Sequence, residues 1–140
     1  MHEIKVLLVE DNPVDEFMIR AALERCVSAM FAVTSAVRLD DAIQQAGSTP
    51  MDVLLLDLGL PDVQGLEALV RARAALPHLP ILVLSGNDDE QLATRSVQQG
   101  AQHYLLKSTT MAEVLPCAIR DAIERHRAQA QMINNATDPL

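Results

Sequence analysis

The sequence predicts an α/β domain: a parallel sheet with helices on both faces. Five short apolar runs recur along the 140 residues, each is followed by apolar residues at helical spacing, and the two patterns alternate without a break. Parallel neighbours require crossovers, and because these are right-handed almost without exception, the helices distribute over both faces. With 49% apolar residues the chain can bury one core of ordinary domain size.

Each element has a local reason. Residues 5–9 (KVLLV) form a buried strand that stops at Glu10, Asp11, Asn12 and Pro13. Asn12 can cap the following helix, Pro13 suits its first position, and Asp15 and Glu16 favour its positive end. Met18, Ile19, Ala22, Leu23 and Cys26 supply its apolar stripe. Residues 31–37 read as a weaker, edge-type strand, followed by a short helix over 39–45 and a loop at 47–50. Residues 53–56 are a continuous apolar strand stopped by Asp57. Leu66, Leu69, Val70 and Ala74 give the next helix its buried stripe, and Pro77 and Pro80 close it. Residues 81–84 make another buried strand, ending at Ser85 and Gly86. Asp88 and Asp89 offer caps to a helix carrying Leu92, Ala93, Ser96 and Val97, which Gly100 terminates. Residues 104–106 make a fifth strand, stopped by Lys107. The last helix spans 111–130 with Leu115, Ala118, Ile119, Ala122 and Ile123 on one face, and Arg120, Arg125, His126 and Arg127 suit its negative end. Pro116 is expected to kink it or delay its regular start, and residues 131–140, without periodicity, to fray.

Composition narrows the function. Nineteen acidic against eleven basic side chains give a formal charge of −8, which disfavours a phosphate-binding surface for nucleic acid. One Tyr, two Phe and no Trp leave no platform for stacking bases. No apolar run approaches the roughly 18 residues of a membrane span, and the N-terminus lacks the order of a signal peptide. The expectation is a cytoplasmic protein with no membrane insertion and no direct contact with nucleic acid. Cys26 and Cys117 fit no metal spacing and read as buried free thiols. Nine of the eleven basic residues are Arg, leaving Lys5 and Lys107 as the only lysines.

In folds of this class ligands bind at the carboxyl ends of the strands. There the sequence places Glu10 and Asp11 after the first strand, Asp57 after the third, Ser85 after the fourth and Lys107 after the fifth. Three clustered carboxylates invite a hard divalent cation, and an incomplete oxygen set suits Mg²⁺. A cation beside Asp57 keeps it ionised, and an ionised aspartate can act as a nucleophile toward phosphorus. Phosphoryl transfer needs positioning and neutralisation of the equatorial oxygens, to which Mg²⁺, the Lys107 ammonium and the Ser85 hydroxyl would each add a contact. Nine acids (Glu10, Asp11, Asp15, Glu16, Asp57, Asp62, Asp88, Asp89 and Glu90) lie at or just beyond three strand ends and read as an electrostatic basin for the metal.

The stretches VLLVEDN (6–12), LLLDLGLPDVQG (54–65), ILVLSG (81–86) and GAQHYLLK (100–107) resemble the signatures of receiver domains of two-component response regulators, with a chemotaxis-regulator-like fold. The resemblance covers residues 4–127 and is specific, because the acid pair, Asp-x-x-x-Pro-x-x-x-Gly, the Ser and the Lys occur in family order. It implies a doubly wound five-stranded sheet of flavodoxin-like order 2-1-3-4-5. It makes Asp57 the phosphoacceptor, and Glu10, Asp11 and Asp57 with the main-chain carbonyl of Gly59 the holders of Mg²⁺ or Mn²⁺, Asp11 directly and Glu10 through water. Ser85 would swing toward the phosphoryl group, Lys107 would pair with it, and Tyr104 would be the switch aromatic whose rotamer follows Ser85. Gly59 and Asn87 occupy positions that influence phosphate lifetime, while Pro61 and Gly65 shape the loop after Asp57. Ser108 stands where the family usually has a proline joined to the lysine by a cis bond. Before a non-proline residue a cis bond costs about 2.5–4 kcal/mol, so the alternatives are a strained cis link or a trans, shifted loop.

The resemblance further implies a receiver domain over 1–130, with 131–140 as a tail or the start of a linker. The domain would take phosphate from a sensor histidine kinase or histidine phosphotransfer protein. Its catalysis would be limited to its own phosphorylation and dephosphorylation. Output would pass to a downstream protein or to a C-terminal output domain absent from this chain. Gln102 and His103 replace the two acids that precede the switch aromatic in one dimerising transcription-factor subclass, which weakens that dimer for this chain. Two other readings are an interaction module not controlled by phosphate and an aspartate-nucleophile phosphohydrolase of the haloacid dehalogenase type. The latter needs an acid two residues after the nucleophile, where Gly59 stands.

Overall fold

The computed structural model describes residues 2–63, 65–86, 88–108 and 111–137, with the side chains of the last helix through residue 132. The elements run β1 (Glu3–Val9), α1 (Pro13–Glu24), β2 (Met30–Ala36), α2 (Leu39–Ser48), β3 (Val53–Asp57), α3 (Leu66–Ala75), β4 (Ile81–Ser85), α4 (Glu90–Gln98), β5 (His103–Leu106) and α5 (Met111–Thr137). The strands form one parallel sheet in the order β2-β1-β3-β4-β5, the flavodoxin-like order expected.

The three central strands are continuously apolar because both of their faces are covered. Leu7, Val9, Leu54, Leu56 and Val83 pack with Leu39 and Ala42 of α2 and Ala68, Leu69 and Ala72 of α3. The alternate residues Val6, Leu8, Val53, Leu55, Leu82 and Leu84 pack with Ile19 and Leu23 of α1 and Leu115, Ile119 and Ala122 of α5. Each fully buried Leu of this kind contributes about 1.5–3 kcal/mol relative to exposure. β2 is an edge strand with most of its residues only half-covered, as its weaker pattern predicts.

Caps set where the helices begin. Asn12 Oδ1 accepts from the amides of Val14 (2.9 Å) and Asp15 (3.2 Å), and Asp89 Oδ1 from those of Gln91 (3.0 Å) and Leu92 (3.2 Å). α2 has no cap of its own. Asp62, from the loop after β3, accepts from the Leu39 and Asp40 amides at 3.3 and 3.4 Å. Gly100 ends α4 with φ 104°, a conformation that a side chain would strain.

Several local expectations are corrected. Met18, Val70, Ala74 and Val97 are exposed; in α3 Leu69 is buried as expected, and the sheet-facing positions beside it are Ala68 and Ala72, whose small side chains give a weak hydropathy signal. In α4 the buried residue is Ser96, whose hydroxyl donates to the Leu92 carbonyl at 2.7 Å and so enters the core satisfied. Neither cysteine is fully buried: Cys26 lies beyond the end of α1 and is half-covered, and Cys117 faces outward two positions past Leu115. Pro116 is buried inside a continuous α5, lining a groove between the end of α1 and α5. α5 also runs past residue 130 to Thr137. Among the described residues no helix is long and apolar enough to cross a membrane.

Candidate functional site

Because all five strands are parallel, their carboxyl ends share one rim, and register decides which side chains meet there. Val9 of β1 pairs with Leu56 of β3, so Glu10 and Asp57 leave adjacent strands at the same level. The Glu10 amide is held by the Ala36 carbonyl at 3.0 Å. Asp57 pairs with Leu84, the residue before Ser85, and the Lys107 amide donates to the Ser85 carbonyl at 2.8 Å. These main-chain contacts set Glu10, Asp57, Ser85 and Lys107 along the rim.

The side chain of Lys107 is only 15% exposed. Its Nζ lies 2.6 Å from Glu10 Oε2, 3.0 Å from Asp15 Oδ2 and 3.2 Å from Asp57 Oδ1. An ammonium has three N–H donors, and three carboxylates surround it. No peptide among the described residues is cis, so the Lys107–Ser108 link is trans, and the ammonium reaches Asp57 all the same.

Glu10 is the most enclosed of these acids. Its Oε1 accepts from the Asn12 amide at 3.1 Å. Its Oε2 is buried and meets Lys107 as a close ion pair without regular hydrogen-bond alignment. Burial is the largest influence on the Glu10 carboxyl and raises its pKa, helped by the Asp57 charge and offset in part by Lys107 and the Asn12 amide. For Lys107 burial opposes the charge, but Glu10, Asp15 and Asp57 outweigh it and hold the ammonium well above the usual lysine range.

One oxygen from each of Glu10, Asp11 and Asp57 lies within 4.8 Å of the other two. The set is all oxygen and incomplete, Asp11 opens it to solvent, and Glu10 Oε2 has unused acceptor capacity. These residues fit a hard cation that keeps part of its water, which describes Mg²⁺. A Cβ at Gly59 would stand 3.7 Å from Asp57 Oδ2, which places Gly59 directly beside the carboxylate. Ser85 is buried at the end of β4. Tyr104 is half-buried, pairs with Val83 and packs on the core cluster that faces α2 and α3. Asn87 lies outside the described residues.

The basin of nine acids resolves into separate tasks. Glu10, Asp11 and Asp57 cluster, whereas Glu16 pairs with Arg20, Asp62 caps α2 and Asp89 caps α4. Asp15, expected as a first-turn acid of α1 and as part of the acidic basin, is the residue whose contact with Lys107 pattern reading missed. The available signal was its place four residues behind the acid pair's second member, one helical turn from the strand end.

The sheet order and the helices on both faces define a flavodoxin-like α/β domain. Residues 6–118 match the response regulator receiver domain family. The chain is 33% identical over 135 residues to the KDP operon transcriptional regulatory protein KdpE of Escherichia coli, covering 96% of this chain and 56% of that protein. It is 34% identical over 127 residues to the DNA-binding transcriptional regulator NtrC of Proteus hauseri, covering 90% and 26%. The chain thus spans about half, or less, of the length of the curated relatives it matches. A receiver domain from Clostridium thermocellum superposes with a TM-score of 0.76 at 26% identity, covering 90% of this chain and 98% of that one. A response regulator from Burkholderia pseudomallei, solved with a phosphorylated aspartic acid, a calcium ion and citrate, superposes at 0.70 with 27% identity, covering 94% and 75%. The chain belongs to the response regulator receiver domain family, whose work is phosphorylation-dependent signalling in two-component systems.

Proposed function

We propose that Asp57 is the phosphoacceptor of this receiver, taking its phosphoryl group from the phosphohistidine of a sensor histidine kinase or histidine phosphotransfer protein. The observation that carries this reading is the Asp57 carboxylate at 3.2 Å from the buried Lys107 ammonium and beside the carboxylates of Glu10 and Asp11. An Asp57 oxygen attacks phosphorus, the P–N bond to the donor imidazole breaks, and the imidazole leaves with the electron pair. Lys107 keeps its charge and pairs with the arriving oxygens, and Ser85 adds a hydroxyl contact. Glu10, Asp11, Asp57 and the Gly59 carbonyl would hold Mg²⁺ or Mn²⁺, which would supply neutralisation of phosphoryl charge.

Ser85 moving toward the phosphoryl group, followed by Tyr104, carries the change to the protein surface. Gly59 leaves the approach to Asp57 open, and with Asn87 it sets the lifetime of the adduct. Gly59 offers no second acid, which disfavours a phosphohydrolase. The receiver unit occupies residues 1–130, with 131–140 as a tail or the beginning of a linker. It works in the cytoplasm and signals to a protein target or an output domain.

Incubation with Mg²⁺ and acetyl phosphate, read by intact-mass spectrometry, is expected to give one phosphoryl adduct that Asp57→Asn abolishes. Absence of an adduct both with this donor and with a phosphorylated histidine kinase overturns the reading, as does an undiminished adduct on Asp57→Asn.

A further inference from the structure

The geometry points to Asp15 as a positioning residue for phosphoryl transfer: from α1 it holds the Lys107 ammonium in place over Asp57. This inference rests on the reading of Asp57 as phosphoacceptor. Lys107 is attached to the sheet only through its own main chain at the end of β5, and its flexible stem has to carry the charge across the rim to the ends of β1 and β3. Two of the carboxylates it meets, Glu10 and Asp57, also belong to the acidic cluster. Asp15 does not belong to that cluster. It sits in the first turn of α1, fixed there because Asn12 Oδ1 accepts from its amide at 3.2 Å, and its Oδ2 lies 3.0 Å from Nζ.

The division of the three ammonium donors then has a consequence for the reaction. When an Asp57 oxygen attacks the phosphorus of acetyl phosphate, the new O–P bond forms as the bond from phosphorus to the acetate oxygen breaks, and acetate leaves with the electron pair. The Asp57 carboxylate loses negative charge to the phosphoryl oxygens. The donor that faced Asp57 can follow that charge, provided the other two stay engaged. Glu10, just past β1, supplies one anchor as a close ion pair, and Asp15, in α1, supplies the other as a hydrogen bond. Without Asp15, the ammonium is free to rotate toward the remaining acids, and the transferred group meets a disordered partner.

Asp15→Ala, with Asp15→Glu as the charge-conserving control, separates this role from a structural one. At saturating acetyl phosphate and Mg²⁺, Asp15→Ala is expected to lower the limiting rate of adduct formation about ten- to a hundredfold, the scale of a misplaced reacting group. Half-saturating Mg²⁺ should move by no more than about twofold, because Asp15 is not among the clustered ligands. Asp15→Glu should recover most of the rate.

A second readout needs no phosphate. A held ammonium exchanges its protons slowly, so ¹⁵N NMR of the intact chain should show the Lys107 ammonium resonance in the wild type and in Asp15→Glu but not in Asp15→Ala. Lys5, the only other lysine and an exposed one, is the internal reference. If Asp15→Ala keeps the wild-type limiting rate, or keeps the Lys107 resonance, the positioning role is overturned. A wild type that forms no phosphoryl adduct although its Lys107 resonance still depends on Asp15 overturns the phosphoacceptor reading instead.

Discussion

Arg20 shows how much of this molecule is decided at single side chains. Its guanidinium donates to Glu16 Oε1 (2.9 Å), to the Val33 carbonyl (3.1 Å) and to Ser35 Oγ (2.7 Å), and Ser35 in turn donates to Glu16 Oε1 at 2.7 Å. The Ser35 hydroxyl, first, and then Arg20 hold the Glu16 carboxyl below its ordinary range. A folded pKa below the unfolded one gives stability that is present above the unfolded value and is lost as pH falls through the folded value. Glu16→Gln is therefore expected to destabilise the protein at neutral pH and to flatten the acid limb of a urea-midpoint profile against pH. An unchanged acid limb would show that the network contributes nothing to folding. Residue-scale chemistry was legible where the partner is near in sequence or where a strand end announces it, as for Glu10, Asp11, Asp57 and Lys107. The Asp15–Lys107 contact was not, because 92 positions separate the two and no periodicity links them.

Among the elements, the helices divide by where their caps come from. α1 and α4 are capped by the residue that precedes them, Asn12 and Asp89, and both starts could be read locally. Replacing Asn12 with Ala leaves two first-turn amides without their acceptor and is expected to cost about 1 kcal/mol in chemical denaturation. α2 starts instead on Asp62, more than twenty residues away, which no local pattern reveals. The carboxyl of Asp62 is subject first to burial, which raises its pKa, but the Leu39 and Asp40 amides outweigh that and hold it low. The edge character of β2 was likewise legible, whereas the inward faces of α3 and α4 were not. In α3 the inward face rests on Ala68 and Ala72 beside Leu69, small residues that hydropathy does not mark as core, and in α4 the core residue is Ser96 while Val97, expected beside it, faces outward.

Across the whole molecule, the sheet separates two cores that share strands but no side chains. Ile81 belongs to the cluster facing α2 and α3, and Ile119 to the one facing α1 and α5. Ile81→Val and Ile119→Val should each cost about 0.5–1.5 kcal/mol. Combined, they are expected to add within about 0.5 kcal/mol, and a larger coupling in a double-mutant cycle would mean that the sheet transmits strain between layers. Parallel topology was readable from the alternation of patterns alone. The strand order was not, since alternation is compatible with several orders, and it followed only from the family motifs.

The reach of Lys107 from the last strand back to the first helix bears on how the domain comes into being. As the chain leaves the ribosome, the three clustered acids are complete by residue 57, while their protein counter-charge comes fifty residues later. Until that lysine arrives, like charges gathered at the rim oppose one another. Docking of β5 brings Lys107 against two of them, Glu10 and Asp57, and against Asp15 beside them. The rim is thus complete only once β5 has docked, and a chain stopped short of β5 carries the three acids without the lysine that neutralises them.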